Sequence, residues 1–418
     1  MRALVLDHGL FIELALRLAH ELDDTVGYFS PWASAFPNPQ DQLLGTGLED
    51  FGVKRVDFPW ELFETSEEPD IYIFPDLLFT DQQTLLRKLG RQVWGSGWGE
   101  LLEMNRWKLQ GLLEDAGWPA PETERLTGVD ALLKRLKNES ESLFVKLAPY
   151  YRGLMETYEH RGWPDSRTWY DKVRSDLGMR GDTMDFMLQR SIPGEKVVEP
   201  GFDLIIKDGR ILYPTLIGYE KKGSALISKV IEELPDVVAG PIETVVEALS
   251  KEGSPYSNFF SAELRVNEDG EAYFIDATAR APRPGDGADM ELWTNLGEIV
   301  TSDSTEPLAA GQYAVQLMLD SPQAEKRPLH IRFPEEKRDN IKLYQFYRDP
   351  QGQYWTLPRG ISNVVSVTVV GDDLDKIQKE CLEIAKEVKF DGSEYEEHAF
   401  DKILEDIETG RDNGVDWD

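Results

Sequence analysis

The chain has 418 residues, with 45 Lys plus Arg against 77 Asp plus Glu and a formal net charge of −32. Such a charge repels nucleic acid and anionic membrane surfaces, while 41% hydrophobic residues suit a folded globular protein of two to four domains rather than a disordered chain. The single cysteine, Cys381, excludes an intrachain disulfide and a cysteine-built zinc site. No apolar run reaches membrane-spanning length and the first residues lack a signal-peptide layout, so a cytoplasmic location is expected.

Ala3-Leu-Val-Leu-Asp7 reads as a buried strand, followed by a turn at Gly9. A helix then places Phe11, Leu14, Ala15, Leu18 and Leu22 on one face. Further strands are expected at Thr25–Phe29 and Asp70–Pro75, with a helix through Leu77–Leu89. Strands alternating with helices indicate a parallel α/β layer over residues 1–95. Asn105–Gly117 reads as a helix ended by Gly117, with Pro119 and Pro121 behind it. A strand at Ser142–Leu147 leads into a polar, aromatic loop, Tyr150–Thr157, and Met184–Arg190 is strand-like. Two strands flank the turn at Lys207-Asp-Gly209. Beyond residue 310 the pattern turns to antiparallel strands, at Ala314–Leu319 and Asn363–Gly371, and a helix follows at Asp373–Val388. Cys381 falls on that helix's apolar face with Ile377, Ile384 and Val388.

Between them lies the run Ser261–Arg280, two alternating strands joined by Asn267-Glu-Asp-Gly270. It carries one acid on each strand, Glu263 and Asp276, with Arg280 following. A hairpin can bring two such carboxylates together, where they repel unless a cation stands between them. Hard oxygen ligands that leave room for phosphate describe a nucleotide-bound Mg²⁺ or Mn²⁺ site, and a nearby Arg can hold a transferring phosphoryl group. The other reading of the same pattern is a solvated hairpin with surface acids, against which stand the apolar neighbours of Asp276, Tyr273-Phe-Ile275 and Ala277.

In this order the motifs resemble an ATP-grasp carboxylate–amine ligase over nearly the whole chain, most similar in layout to the phosphoribosylamine–glycine ligases. The resemblance implies α/β and α+β architecture: an N-terminal open parallel α/β domain (1–95), a central ATP-grasp fold (96–310, with a lid at about 120–190), and a small C-terminal α+β domain (311–418). It implies ATP and Mg²⁺ as cofactors, small-molecule carboxylate and amine substrates, and a monomer or homodimer. Arg106, with Lys108 in reserve, matches the cation placed on the ATP phosphates from a helix start. Lys146 matches the second phosphate-binding lysine, and Arg152 and Gly153 stand where the flexible flap belongs. Gln189, Arg190 and Ser191 stand where the backbone reads adenine, and Glu195 where ribose hydroxyls are bound. Glu263 and Asp276 match the metal ligands, Thr278 stands where the family carries Asn, and Arg280 matches the Arg beside the γ-phosphate. Arg283, in the loop Pro282–Asp286, could hold a substrate carboxylate bidentately, and a rigid Pro/Gly connector is the other reading of the same loop. Glu220, Lys221 and Lys222 lie where the resemblance implies that the grasp faces the acceptor site, and surface charge is the favoured reading of them.

One departure bears on the substrate. The phosphoribosylamine–glycine ligases open with a Gly-rich turn followed by Arg-Glu-His, whereas this chain has Asp7-His-Gly-Leu-Phe-Ile-Glu13. Backbone N–H groups cradle phosphate best where Gly allows close approach, so a different amine or carboxylate is expected. Two other readings stay open: a phosphotransferase on the same scaffold, and a nucleotide- or partner-binding protein without catalysis.

Overall fold

The computed structural model describes all residues except 23, 32–42, 149–156, 251–254, 284, 303–304, 359 and 418, and the side chain of Asp165. The flap residues Arg152 and Gly153 lie outside the described residues.

Ala3–Leu6 and Ile71–Phe74 are buried at every position, as parallel strands covered on both faces must be. They form the centre of a five-stranded sheet with the order Val53–Arg55, Val26–Phe29, Ala3–Leu6, Ile71–Phe74, Gln92–Gly95, and every pairing is parallel. The helix Ile12–Leu22 buries Ile12, Leu14, Ala15 and Leu18, so the expected α/β layer is present.

The largest sheet has eight antiparallel strands, in the order Ala272–Thr278, Asn258–Val266, Pro200–Lys207, Arg210–Lys221, Ala225–Ile231, Tyr313–Asp320, Asn363–Gly371, Ile341–Leu343. It runs without a break past residue 310, because Ala225–Ile231 pairs directly with the next strand, Tyr313–Asp320, with Ala225 opposite Leu317 and Lys229 opposite Tyr313. The helix Leu374–Glu387 packs on this extension. Its first turn is capped by Asp373, whose side chain accepts from Lys376 N at 3.1 Å. Its apolar face buries Ile377, Cys381 and Ile384, and the Cys381 thiol donates to Val367 O at 3.4 Å.

A third, four-stranded sheet, in the order Thr123–Thr127, Asp185–Arg190, Leu143–Leu147, Thr157–His160, carries the helices Val129–Leu136 and Trp163–Leu177. It has a core of its own, built from Leu132, Leu136, Val145, Tyr170, Phe186 and Leu188. This core is separate from that of the large sheet, and the unit covers the segment expected as the lid. A small sheet of Leu329–Ile331, Tyr354–Thr356 and Phe346–Arg348 completes the C-terminal part. Among the described residues, no helix is long and apolar enough to cross a membrane.

The first and last parts of the chain are tied by a buried charge pair. Arg338 Nη2 donates to both oxygens of Glu13, at 2.9 and 3.2 Å, and Leu343 N donates to the same carboxylate at 3.0 Å. Removing one partner strands the other charge in a low-dielectric setting. Glu13→Ala is therefore expected to lower unfolding stability by about 3–5 kcal/mol, measured by denaturant titration against the parent chain.

Candidate active site

Asn258–Val266 and Ala272–Thr278 form the expected hairpin, and Glu263 stands directly opposite Asp276. The register contains a bulge: Glu263 pairs with Asp276 but Leu264 pairs with Phe274, leaving Ile275 as the extra residue. In an unbroken ladder Ile275 would face Glu263 and Asp276 would turn to the other face of the sheet. The bulge is thus what puts both carboxylates on one side, together with Arg265.

The acids are met by cations from three different elements. The helix Arg106–Asp115 begins beside the hairpin, its first turn capped by Asn105, which accepts from Lys108 N. Arg106 is only 6% exposed. Its Nη1 donates to Leu147 O at 3.0 Å and its Nη2 to Asp276 Oδ2 at 3.4 Å. Lys146, on a central strand of the lid sheet and 7% exposed, donates to the carbonyl of the bulged Ile275 at 3.2 Å. Burial lowers the Lys146 ammonium to about 8, with Asp276 opposing the shift. Lys222, on the turn after Arg210–Lys221, reaches Glu263 Oε2 at 2.8 Å and Glu199 Oε1 at 3.2 Å. Burial raises the Glu263 carboxyl above its usual range. Burial also acts on Glu199, but Lys222 and Arg265 outweigh it and hold that carboxyl low.

Lys146, Gln189, Arg190, Glu263 and Asp276 line one cleft of about 390 Å³, with Phe144, Ile192 and Ile275 among its apolar walls. A smaller cavity of about 60 Å³ adjoins it, lined by Asp203, Glu220, Ser261, Thr278 and Arg283. Glu199, Lys222 and Glu263 belong to both. Gly201 and Gly218, paired across neighbouring strands, leave the floor of the smaller cavity free of side chains. Arg283 stacks on Tyr344 at 4.0 Å, and its Nε and Nη2 have no hydrogen-bond partner among the described residues. Burial raises both Asp203 and Glu220 to about 7.

The structure therefore gathers Arg106, Lys146, Gln189, Arg190, Glu263 and Asp276 around the larger cleft and Thr278 and Arg283 around the smaller cavity. Thr278 sits opposite Ser261, one pair beyond the acids on the same face. Arg280 donates to Glu103 Oε1 at 3.1 Å. Three expected site residues are placed elsewhere. Lys108 is exposed on its helix, and Ser191 and Glu195 are exposed in the loop after the lid strand, none of them lining the cleft. The N–H of Arg190 is taken by Glu122 O at 2.9 Å and cannot serve a base edge. Glu220 and Lys222, expected as surface charge, line the cavity instead, because the long strand Arg210–Lys221 carries the following turn over the acids. Lys222 keeps 63% of its side chain exposed while touching both carboxylates. Glu199 and Asp203 gave no signal beyond ordinary acids near a strand start; only their pairing with the hairpin identifies them. Among the described residues, no group of three or more His, Cys, Asp or Glu is set to hold a metal by protein alone.

No protein-family model and no curated protein sequence matches the chain. Solved structures do, and they show that it has the ATP-grasp fold in the three-part layout of those enzymes. It is similar to phosphoribosylamine–glycine ligase of Thermotoga maritima, with a TM-score of 0.67 over 95% of this chain and 99% of that one, at 17% identity. It is also similar to the biotin carboxylase domain of Hydrogenobacter thermophilus 2-oxoglutarate carboxylase, a structure in complex with MgADP, ADP and bicarbonate (TM-score 0.64, 97% and 98% covered, 10% identity). A third is an L-amino acid ligase from Bacillus licheniformis (TM-score 0.57, 94% and 98% covered, 17% identity).

Asp203 also fixes a pH dependence. Between the unfolded value of about 4 and its folded value of about 7, the folded protein holds a proton that the unfolded chain has lost. Stability contributed by this group is thus present at low pH and falls as pH rises through that window. Asp203→Asn is expected to flatten the fall, read as a smaller change in melting temperature across the same pH range.

Proposed function

We propose that the protein is an ATP-dependent ligase that joins a carboxylate to an amine through an acyl phosphate. The observation that carries this reading is the Glu263–Asp276 pair, set between a cleft of nucleotide size and a cavity with an unpartnered guanidinium. The donor set fits a nucleotide-bound divalent ion: two carboxylates on one face, with phosphate oxygens to complete the shell. Glu263 and Asp276 would hold Mg²⁺ there, and the ion would supply charge neutralisation for the phosphates. The complex of the Hydrogenobacter thermophilus domain with MgADP supports nucleotide and metal as its ligands.

In this reading the lid closes ATP into the cleft and excludes water. Lys146 and Arg106 bind the phosphates, whose charge holds Lys146 in its protonated form. Arg283 holds the substrate carboxylate in the smaller cavity by its free Nε and Nη2. That carboxylate attacks the γ-phosphorus, ADP leaves, and an amine then displaces phosphate from the acyl phosphate. Positioning and charge neutralisation do most of the work, as in other phosphoryl transfers.

The amine is read as one without a phosphate anchored at the first loop. Asp7, fully buried, accepts from Gly9 N at 2.8 Å and from Phe11 N, so the N–H groups that would cradle an anion already hold a carboxylate. This supports a substrate other than phosphoribosylamine.

Thermal unfolding tests the reading directly. With Mg²⁺ and a non-hydrolysable ATP analogue at a hundredfold over its dissociation constant, the folded state should gain about 2.7 kcal/mol, and Glu263→Ala and Asp276→Ala should abolish the gain. Asp276→Asn is expected to cut turnover by about 10²-fold or more. An unchanged melting temperature in the parent chain would sink the proposal.

A further inference from the structure

The first sheet reverses its winding between Ala3–Leu6 and Ile71–Phe74: the chain moves outward to Val26–Phe29 and Val53–Arg55, then returns to the other side of the first strand. In open α/β sheets the crevice beyond the carboxyl ends of such a strand pair is where ligands bind. Here the two strand ends deliver His8 and Asp76. His8 Nδ1 hydrogen-bonds Asp76 Oδ2 at 2.9 Å, and the imidazole stacks on Phe79 at 4.7 Å. Asp76 is itself fixed by accepting from Leu77 N at 2.8 Å. The next residue, Leu78, has a φ of 70°, a left-handed conformation that costs a leucine energy, and its N–H is held by Glu100 at 2.9 Å. The imidazole is thus anchored through one nitrogen, and among the described residues Nε2 has no hydrogen-bond partner.

This crevice adjoins the acidic hairpin. Ala281 N, just past Arg280, donates to Pro75 O at 2.9 Å, and the charge of Arg280 acts on Asp76. The other charged groups near the pair are acidic: Asp7 and Glu100 act on Asp76, and Glu103 holds Arg280. Four acids, one imidazole and one committed guanidinium favour a cationic amine over an anion. The anion cradle at this edge is filled by Asp7, as described above.

We propose that His8 is a catalytic residue of the ligation step, taking a proton from an ammonium group that enters this crevice, with Asp76 as its positioning residue. The inference rests on the ligase reading. The ammonium gives one proton to His8 Nε2 and becomes a neutral amine. The amine nitrogen bonds to the acyl carbon, the carbon–oxygen bond to phosphate breaks, and the second nitrogen proton leaves with the phosphate. His8 returns its proton to solvent.

Hydroxylamine separates this step from the first one, because it is a neutral nucleophile at pH 7 and needs no base to attack an acyl phosphate. Parent chain, His8→Gln and Asp76→Asn would each be given ATP, Mg²⁺ and a panel of amino acids and short carboxylic acids. The acceptor is either hydroxylamine or a primary amine, with hydroxamate, amide and ADP measured. The amide-to-hydroxamate ratio is expected to fall about 10²-fold in His8→Gln and in the same direction in Asp76→Asn. Equal loss of both products would mark His8 as structural, and an unchanged ratio would mark it as a bystander; either overturns the inference while leaving the ligase reading in place. No hydroxamate from the parent chain with any acid would overturn the ligase reading, and this inference with it.

Discussion

Two carboxylates forced onto the same face of a hairpin set the terms for everything around them. Glu263 and Asp276 repel one another, and burial makes that repulsion stronger than it would be in water. The fold answers with cations drawn from a helix start, a lid strand and a turn: Arg106, Lys146 and Lys222. Each of those cations is held by the acids as much as it relieves them. The lid is therefore coupled electrostatically to the large sheet through Lys146, although the two have separate apolar cores.

The two cavities share Glu199, Lys222 and Glu263, so neither can change its charge without the other responding. Lys222 ties Glu263 to Glu199 at this seam, and burial raises the neighbouring Glu220 carboxyl to about 7.

Much of this was legible in the residues and some was not. Alternating strands around Asn267-Glu-Asp-Gly270 made the hairpin readable, and local turn chemistry was enough to find it. Buried runs at Ala3–Leu6 and Ile71–Phe74 announced the parallel layer because such strands are apolar throughout. The bulge at Ile275 was not legible: a one-residue slip leaves no mark in an apolar run, yet it decides which way Asp276 points. Glu199 and Asp203 were hidden for a different reason. In a chain with 77 acids, a functional carboxylate differs from its neighbours only by what folds over it. Lys222 was misread because exposure and contact coexist in a long flexible side chain. The Asp7 carboxylate likewise looked like an ordinary strand-end acid until its bonds to Gly9 N and Phe11 N closed the loop on itself.

The Glu13–Arg338 bond spans 325 positions of sequence, and it is not isolated. Gln345 N reaches Gly9 O at 3.1 Å and Gly45 N reaches Phe346 O at 2.9 Å, so the opening α/β layer is finished by residues near the end of the chain. On the ribosome, domains ordinarily fold as they emerge, amino-terminal first. Here the segment that carries Glu13 emerges before its guanidinium partner, which follows 325 residues later, an interval of roughly half a minute at about 10 residues per second.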